Sequence, residues 1–174
     1  MQARSIKGKT PAEIKEALKD SGRDNFKPSL AIIILTTVGS AEELNSLFDS
    51  NGIAIFGLST SQKFTEQGME ADDIIVLLMD INPDSFRIVL NDYQGSSEYK
   101  AAHQAGEIGL NTFANPGFII SSADISMSGE DLIRGLTDAA GHDVTVMGGV
   151  AGNPADFSGL YSQTIYRAKQ VCSH

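Results

Sequence analysis

Short apolar runs of strand length are the clearest pattern along the chain. The runs at residues 30–37 and 53–56 are rich in β-branched side chains and show no alternation of polar and apolar positions. That pattern predicts strands buried on both faces, as in the interior of a parallel sheet. Comparable runs at residues 118–121 and 144–147 predict two further buried strands.

Helix-start signals precede the segments that have helical spacing. Thr10 with Glu13, and Ser40 with Glu43, have the spacing of capping boxes, and apolar residues at helical intervals follow each pair. Glycine then ends both segments. The pattern predicts four helices, which begin near residues 11, 41, 97 and 129.

The order of these elements predicts two βαβ units. The helix after Ser40 resembles the helix after Ser128, and each connects two buried strands, although any capped helix between such strands gives a similar pattern. A strand–helix–strand connection within a sheet gives parallel strands. We therefore expect one sheet that is parallel within each unit. Its strands are those at residues 30–36, 53–57, 118–121 and 144–148.

Turn chemistry separates two more strand-like segments. Residues 73–81 and 85–91 flank Asn82-Pro83-Asp84, which predicts an antiparallel hairpin that extends the sheet. Residues 158–167 alternate enough to predict a final strand. The predicted fold is α/β: a mixed sheet with two βαβ units, an antiparallel hairpin and flanking helices, in a single domain over residues 1–174.

Composition and charge narrow the class of protein. The chain has 174 residues, of which 41% are hydrophobic and 20% charged, as is typical of one globular domain. Its net charge of −9 argues against binding to nucleic acid. Residues 1–30 carry seven Lys or Arg against four Asp or Glu, whereas residues 41–98 carry two against eleven. The acidic stretch is either a solvated surface or a docking site for a basic partner.

Three features bear on location. No apolar stretch approaches the roughly 18 residues that cross a bilayer. The N-terminus lacks the apolar core of a signal peptide. The single cysteine, Cys172, excludes an intrachain disulfide, as fits a reducing compartment. We therefore expect a cytoplasmic protein that does not bind a membrane.

Small residues follow two of the buried strands, at residues 57–62 and 148–153. In an open parallel sheet, ligands bind beyond the carboxyl ends of the strands. Glycine there lets backbone N–H groups approach a ligand, and hydroxyls add donors and acceptors. The predicted ligand-binding residues are Gly57, Ser59, Thr60, Ser61, Ser122, Asp124, Gly148, Gly149, Gly152 and Asn153. The alternative is that the glycines only turn the chain and that Asp124 caps a turn.

Motifs for catalysis or for a metal are missing from the sequence. Residues 148–153 have neither the Lys-Ser/Thr of a P-loop nor the glycine spacing of a dinucleotide fingerprint. Ser61 stands where a nucleophile elbow around Ser59 needs glycine. No pair of histidines has metal-ligand spacing. We therefore predict no catalytic residue, no metal and no cofactor.

Four stretches, in order along the chain, resemble the FIST family, a sensory domain of bacterial and other signalling proteins. Residues 30–34 resemble the first strand of the family, and residues 53–60 resemble its strand followed by Gly-x-Ser/Thr-Thr. Residues 128–136 are similar to its helix that ends in Arg-Gly-Leu. The most specific stretch is residues 146–153, which together with Phe157 resembles Gly-Gly-x-Ala-Gly-Asp and Phe.

The resemblance implies an N-terminal FIST region that senses a small ligand, such as an amino acid, and passes the signal to partner domains. Asn153 stands where the family has Asp, and Ser61-Gln62-Lys63 lacks the acidic group of the family at that place. Family members continue into a C-terminal FIST region, which is absent here. The sequence is therefore expected to be either a stand-alone version or a piece of a longer protein. In either case, a site shared by the two regions would be incomplete in this sequence.

We therefore expect a non-catalytic sensory domain that binds a small molecule and signals to a downstream protein. One alternative is an enzyme on a small acyl or amino-acid substrate, with Ser59 or Thr60 as nucleophile. His142 precedes the strand that ends at Gly148, which places it at the wrong end to act as the base. The other alternative is a protein interaction module that docks a partner through residues 41–98.

The sequence also suggests how a ligand is held. The segments at residues 58–61 and 149–153 offer hydroxyls and backbone N–H groups, which suit a carboxylate. Asp124 follows a third strand and is the candidate for binding an amine. We therefore expect a zwitterion or carboxylate between the two segments.

Overall fold

The computed structural model describes residues 1–35, 38–59, 63–65, 68–70, 74–90, 97–122, 128–150 and 166–167. The chain divides into two compact units, one of residues 1–88 with 151–174 and one of residues 89–150. Helices and a mixed sheet are both present, which confirms the predicted α/β class.

The described strands and helices alternate along much of the chain, with four strands in succession between the second and third α-helices. The strands are β1 (Gln2–Gly8), β2 (Leu30–Leu35), β3 (Ala54–Ser59), β4 (Lys63–Thr65), β5 (Gly68–Glu70), β6 (Ile74–Asp80), β7 (Phe118–Ser122), β8 (Val146–Val150) and β9 (Tyr166–Arg167). The helices are α1 (Pro11–Ser21), α2 (Ala41–Ser50), α3 (Glu98–Thr112) and α4 (Gly129–Ala140), with short 3-10 helices at Val38–Ser40 and Pro83–Ser85.

A five-stranded mixed sheet organises the first unit, in the order β1-β6-β2-β3-β9. β2 and β3 are parallel, with Leu30 opposite Ala54 and Leu35 opposite Ser59, and α2 connects them. β6 is antiparallel to both of its neighbours, β1 and β2. The first predicted βαβ unit is therefore confirmed. The mostly exposed edge strand β1 was not predicted, because its residues carry little of the apolar signal that marks a strand.

The capping signals have different outcomes at the two helices of this unit. The Thr10 hydroxyl accepts a hydrogen bond from the backbone N–H of Glu13 at 3.2 Å, and Gly22 ends α1, as predicted. Ser40 makes no side-chain cap, which contradicts the capping box predicted with Glu43. The reason is backbone geometry: Ser40 closes the preceding 3-10 helix with φ −92° and ψ 0°, rather than the extended conformation of an N-cap.

The hydrophobic core of the first unit lies between one face of the sheet and helices α1 and α2. Every second residue of β2 belongs to it, and Ile32 and Ile34 on the other face are only half-buried, so burial on both faces is incomplete. The core residues are Ile14, Phe26, Ala31, Ile33, Leu35, Leu44, Phe48, Ile53, Ile55, Ile74, Val76 and Leu78.

The second unit contains the other predicted βαβ arrangement. β7 and β8 are parallel, with Phe118 opposite Val146, and α4 connects them. α3 packs closely against α4, as the surroundings of Gly135 show. An added Cβ there would lie 2.3 Å from the Tyr99 carbonyl oxygen and 2.9 Å from the Ala102 Cβ. The small residues let the two helix backbones approach each other.

Two predictions about the sheet are wrong. Within the described residues, β7 and β8 form a two-stranded sheet of their own. The outer edge of β3 pairs with β9 and not with a strand of the second βαβ unit. The hairpin predicted at residues 73–91 does not form, since residues 86–90 are not a strand. Both edges of β6 are already paired with β1 and β2, so no edge remains for a returning strand. An antiparallel hairpin is present instead at β4 and β5.

Candidate functional site

The parallel register of β7 and β8 places Ser121 beside Gly149, one of the two glycines of the predicted site. Ile120 lies opposite Gly148 in the middle of the two strands, and Ser121 opposite Gly149 and Ser122 opposite Val150 lie at their carboxyl ends. The structure therefore brings three of the predicted ligand residues, Ser122, Gly148 and Gly149, onto adjacent strands. Ser121 was not among the predicted residues, because only the register shows that it faces Gly149.

Gly148 and Gly149 both lie within β8, whereas the sequence predicted that the strand ends at Gly148 and that a loop begins at Gly149. Gly148 has φ +156°, and an added Cβ would lie 2.0 Å from the carbonyl oxygen of Ile120 and 2.7 Å from its Cγ1 atom. Residues with a Cβ rarely adopt that backbone conformation, and the neighbouring strand leaves no space for one. The pairing of β7 with β8 is therefore enough to explain glycine at this position.

Gly149 has no such structural requirement. Apart from its chain neighbours, no heavy atom of the described residues would lie within 4 Å of an added Cβ there. Because side chains alternate between the faces of a strand, Gly149 and Ser121 share a face with Ile119 and Met147. On that face Ile119 is 50% exposed and Met147 63% exposed, side by side in register. We call Ile119, Ser121, Met147 and Gly149 the β7–β8 shelf.

The other glycine segment begins in the first unit. Gly57 lies opposite Ile33 and Ser59 opposite Leu35, so both belong to β3, which continues two residues beyond its predicted end. Gly57 is buried within the strand. The remaining predicted ligand residues lie outside the described residues: Thr60, Ser61, Asp124, Gly152 and Asn153.

The predicted residues thus fall into two groups. Gly57 and Ser59 belong to the unit of residues 1–88, and Ser122, Gly148 and Gly149 belong to the unit of residues 89–150. The shared site between the segments at 58–61 and 149–153 stays a prediction.

A polar cluster on α3 and α4 was not predicted from the sequence. Tyr99 donates a hydrogen bond from its hydroxyl to Asp138 Oδ2 at 2.9 Å, and the Arg134 guanidinium lies 5.3 Å from the centre of the Tyr99 ring. The hydrogen bond to Asp138 raises the pKa of the Tyr99 phenol, with smaller contributions from desolvation and from the Asp138 charge, and Arg134 opposes the shift. Arg134 also pairs with Asp131 at 2.5 Å. The contacts of Tyr99 with Asp138 and Arg134 join the two helices, whereas the Arg134–Asp131 pair lies within α4.

Two cavities among the described residues have volumes of about 390 and 430 Å³. Neither lining includes a predicted ligand residue. The first lies between α1 and α2 and the second on the exposed side of α3. Among the described residues, no group of three or more His, Cys, Asp and Glu side chains has an arrangement that could hold a metal ion.

No helix in the described part of the chain has both the length and the apolar character that crossing a bilayer requires. Comparison of the chain with known protein families gives a match to the FIST N domain over residues 31–174. That match covers β2 from Ala31 onward and all of β3, β7 and β8, and therefore both segments of the predicted ligand set. Curated proteins and solved structures give no match.

Proposed function

The chain belongs to the FIST family, a family of sensory domains in signal transduction, and on that basis we propose that it binds a small ligand, such as an amino acid, without turning it over. The observation that carries the proposal is the family match over residues 31–174 together with the β7–β8 register. The register supports a place for the ligand, because it aligns a hydroxyl and an open glycine backbone at the carboxyl ends of two parallel strands.

The shelf favours a ligand with both a polar and an apolar part. Ser121 supplies a hydroxyl, and the missing side chain at Gly149 leaves its backbone accessible. Ile119 and Met147 offer exposed apolar surface beside them. An amino acid with an aliphatic side chain has this combination: a carboxylate for the donors and an apolar group for the Ile119–Met147 pair.

The amine of such a ligand needs an acidic partner. Asp124 remains our candidate from the sequence. The first turn of α4, which follows β7 along the chain, also carries Glu130 and Asp131. Asp131 already pairs with Arg134, and the positive end of the helix dipole disfavours an ammonium group at this terminus. We therefore propose Asp124 as the partner of the amine.

Signalling requires a second contact besides the ligand. We propose that the domain passes ligand occupancy to a downstream protein, as membership in a family of sensory domains supports. The enzyme alternative predicts turnover of the bound compound, and the pure interaction module predicts that no small molecule binds.

Two measurements test the proposal. Native mass spectrometry of the purified chain shows any small molecule that is retained, and calorimetric titration with aliphatic L-amino acids and their deaminated analogues measures affinity. We expect dissociation constants in the micromolar range or weaker, because a few charge-assisted hydrogen bonds of about 1.5–3 kcal/mol each must offset the cost of immobilising the ligand. Asp124→Asn should weaken binding of the amino acid and spare the deaminated analogue.

Gly149→Val tests the position of the ligand, and Gly117→Val, at the other end of β7, is the matched control. An added Cβ meets no described heavy atom within 4 Å at Gly149 and only the Thr145 carbonyl oxygen, at 3.7 Å, at Gly117. We expect the first variant to lose binding and the second to retain it, with equal thermal stability. If no amino acid binds at about 1 mM, where affinity corresponds to roughly −4 kcal/mol, or if both variants bind like the unmodified chain, the proposed site is wrong.

A further inference from the structure

The cleft between α1 and α2 has an apolar floor that is continuous with the core of the first unit. Leu18 of α1 and Leu47 of α2 are partly buried and pack against the core cluster. Ile53, the residue before β3, also lines the cleft and is 5% exposed. The cleft has a volume of about 390 Å³, and because Leu18 and Leu47 line it and are only partly buried, part of each side chain is accessible from the surface.

Three lysines surround this floor: Lys15 and Lys19 on α1 and Lys27 in the segment before β2. Among the described residues, no Asp or Glu lines the cleft. Lys19 pairs with Glu16 at 2.9 Å on the exposed surface, an arrangement that contributes little energy. In the described part of the chain, the ammonium groups of Lys15 and Lys27 have no carboxylate partner.

The charge at this cleft is opposite to that of the whole chain. The net charge of the chain is −9, whereas the residues that line the cleft include three Lys and no Asp or Glu. The acidic residues of α2, Glu42, Glu43 and Asp49, are not part of this lining. An acidic partner is repelled by most of such a protein and attracted here, so the field selects one orientation of approach.

We propose that the cleft between α1 and α2 docks an acidic amphipathic segment of a protein partner. Its apolar side chains contact Leu18, Leu47 and Ile53, and its carboxylates pair with the surrounding lysines. This is the arrangement of a helix in a groove, in which apolar anchors at helical spacing give affinity and charge gives register. The inference does not depend on the ligand proposed for the β7–β8 shelf.

The distribution of charge favours a segment over a small anion. Lys15 and Lys19 are one helical turn apart, about 6 Å along the axis, and Lys27 approaches from a different segment of the chain. The three lysines that line the cleft are exposed. Small-molecule sites instead use a few fixed polar groups inside an enclosed pocket. The apolar residues form a concave floor, whereas insertion into a lipid bilayer needs apolar side chains that protrude.

The test is a binding assay with a designed probe. A fluorescein-labelled peptide of about 16 residues, or roughly 24 Å of helix, carries Leu at helical intervals and Glu elsewhere, and fluorescence anisotropy measures its binding to the full chain. Two control peptides replace either every Leu with Ser or every Glu with Gln. We expect only the first peptide to bind, and we expect its affinity to fall as salt is raised, because exposed charges are screened.

Charge-reversal variants locate the contact. Lys15→Glu and Lys27→Glu should each weaken binding by about tenfold, whereas Lys100→Glu, with the same charge change on α3, should leave it within about twofold. Amide chemical shifts that change at Leu18, Leu47 and Ile53 would support the same place. The three lysines are exposed, so the variants should keep the fold, which circular dichroism checks.

Several outcomes overturn the inference. Equal weakening by Lys15→Glu and Lys100→Glu would mean that net charge alone attracts the peptide. Competition by octanoate as strong as by the peptide would assign the cleft to a small anion. Binding to phosphatidylserine vesicles without binding to the peptide would assign it to a membrane surface. One further outcome separates the two proposals. If the chain binds the peptide but binds no amino acid, the ligand proposed for the shelf is wrong and the docking inference is unaffected.

Discussion

Replacing each of the adjacent glycines of β8 with alanine should have opposite effects on stability. At Gly148 the added Cβ would lie 2.0 Å from the Ile120 carbonyl oxygen, and the backbone has φ +156°. At Gly149 an added Cβ would meet no described heavy atom within 4 Å beyond its chain neighbours. The two substitutions have the same chemistry and differ only in what the neighbouring strand allows.

The expected magnitudes follow from these geometries. Real Cβ atoms keep at least 3.0 Å from other heavy atoms, so β7 must move by about 1 Å to accept the methyl group that Gly148→Ala introduces. Insertion of this kind costs about 1–3 kcal/mol, and the unfavourable φ costs about 1–3 kcal/mol more. Gly149→Ala should instead stabilise by up to about 1 kcal/mol, because alanine restricts the unfolded chain.

Urea unfolding followed by circular dichroism measures the difference. With a slope of about 1–3 kcal/mol per molar urea, a loss of about 2 kcal/mol or more lowers the midpoint by roughly 1 M. Amide hydrogen exchange in α3 and α4 assigns the loss to the unit of residues 89–150. Equal midpoints for the two variants would refute the close pairing of Gly148 with Ile120. They would also remove the reason to use Gly149 rather than Gly148 as the probe of ligand contact.

The remaining predictions concern the helices. Ser128→Ala should destabilise the chain by about 1 kcal/mol in thermal unfolding, because the Ser128 hydroxyl caps α4. Ser40→Ala should be nearly neutral in the same assay, since Ser40 makes no side-chain cap. A larger loss of stability for Ser40→Ala than for Ser128→Ala would contradict the two cap geometries. Gly135→Ala should cost about 1–3 kcal/mol or more in urea unfolding, because the added Cβ would lie 2.3 Å from the Tyr99 carbonyl oxygen, and an unchanged midpoint would refute the close packing of α3 on α4. The pKa of the Tyr99 phenol is raised in the folded chain. Its hydrogen bond therefore contributes its full stabilisation at any pH below the pKa that this phenol has in the unfolded chain, and the contribution is lost as pH rises through its pKa in the folded chain. Asp138→Asn should therefore lower the phenol pKa in an ultraviolet titration, and an unchanged titration curve would contradict the bond.

Local signals in the sequence predicted most of the elements. The apolar runs gave β2, β3, β7 and β8, because a buried strand needs several consecutive apolar residues whatever its partners are. The cap at Thr10 was correct, because a hydroxyl three residues before a free backbone N–H acts within its own turn. The cap at Ser40 failed, because the preceding 3-10 helix sets its backbone and the sequence motif does not.

The candidate site shows the same division. The sequence identified the small residues around Gly148 and Gly149, and the family match over residues 31–174 confirms the resemblance that those residues carried. It could not distinguish the two glycines, because the contact that makes Gly148 necessary comes from Ile120 on another strand. It also missed Ser121, whose position opposite Gly149 depends on the register of β7 and β8.

The sequence by itself determined the α/β class, the two βαβ connections and the family, since periodicity, capping and motifs are properties of neighbouring residues. The tertiary structure decided which strand edges are paired. β6 has partners on both edges, so no hairpin extends from it, and β9 pairs with the outer edge of β3. It also decided which glycines are required and where three lysines meet apolar floor residues between α1 and α2. The physical reason is that hydrogen-bond pairing, close approach and charge clustering join residues far apart in the chain, and no local pattern records such distances.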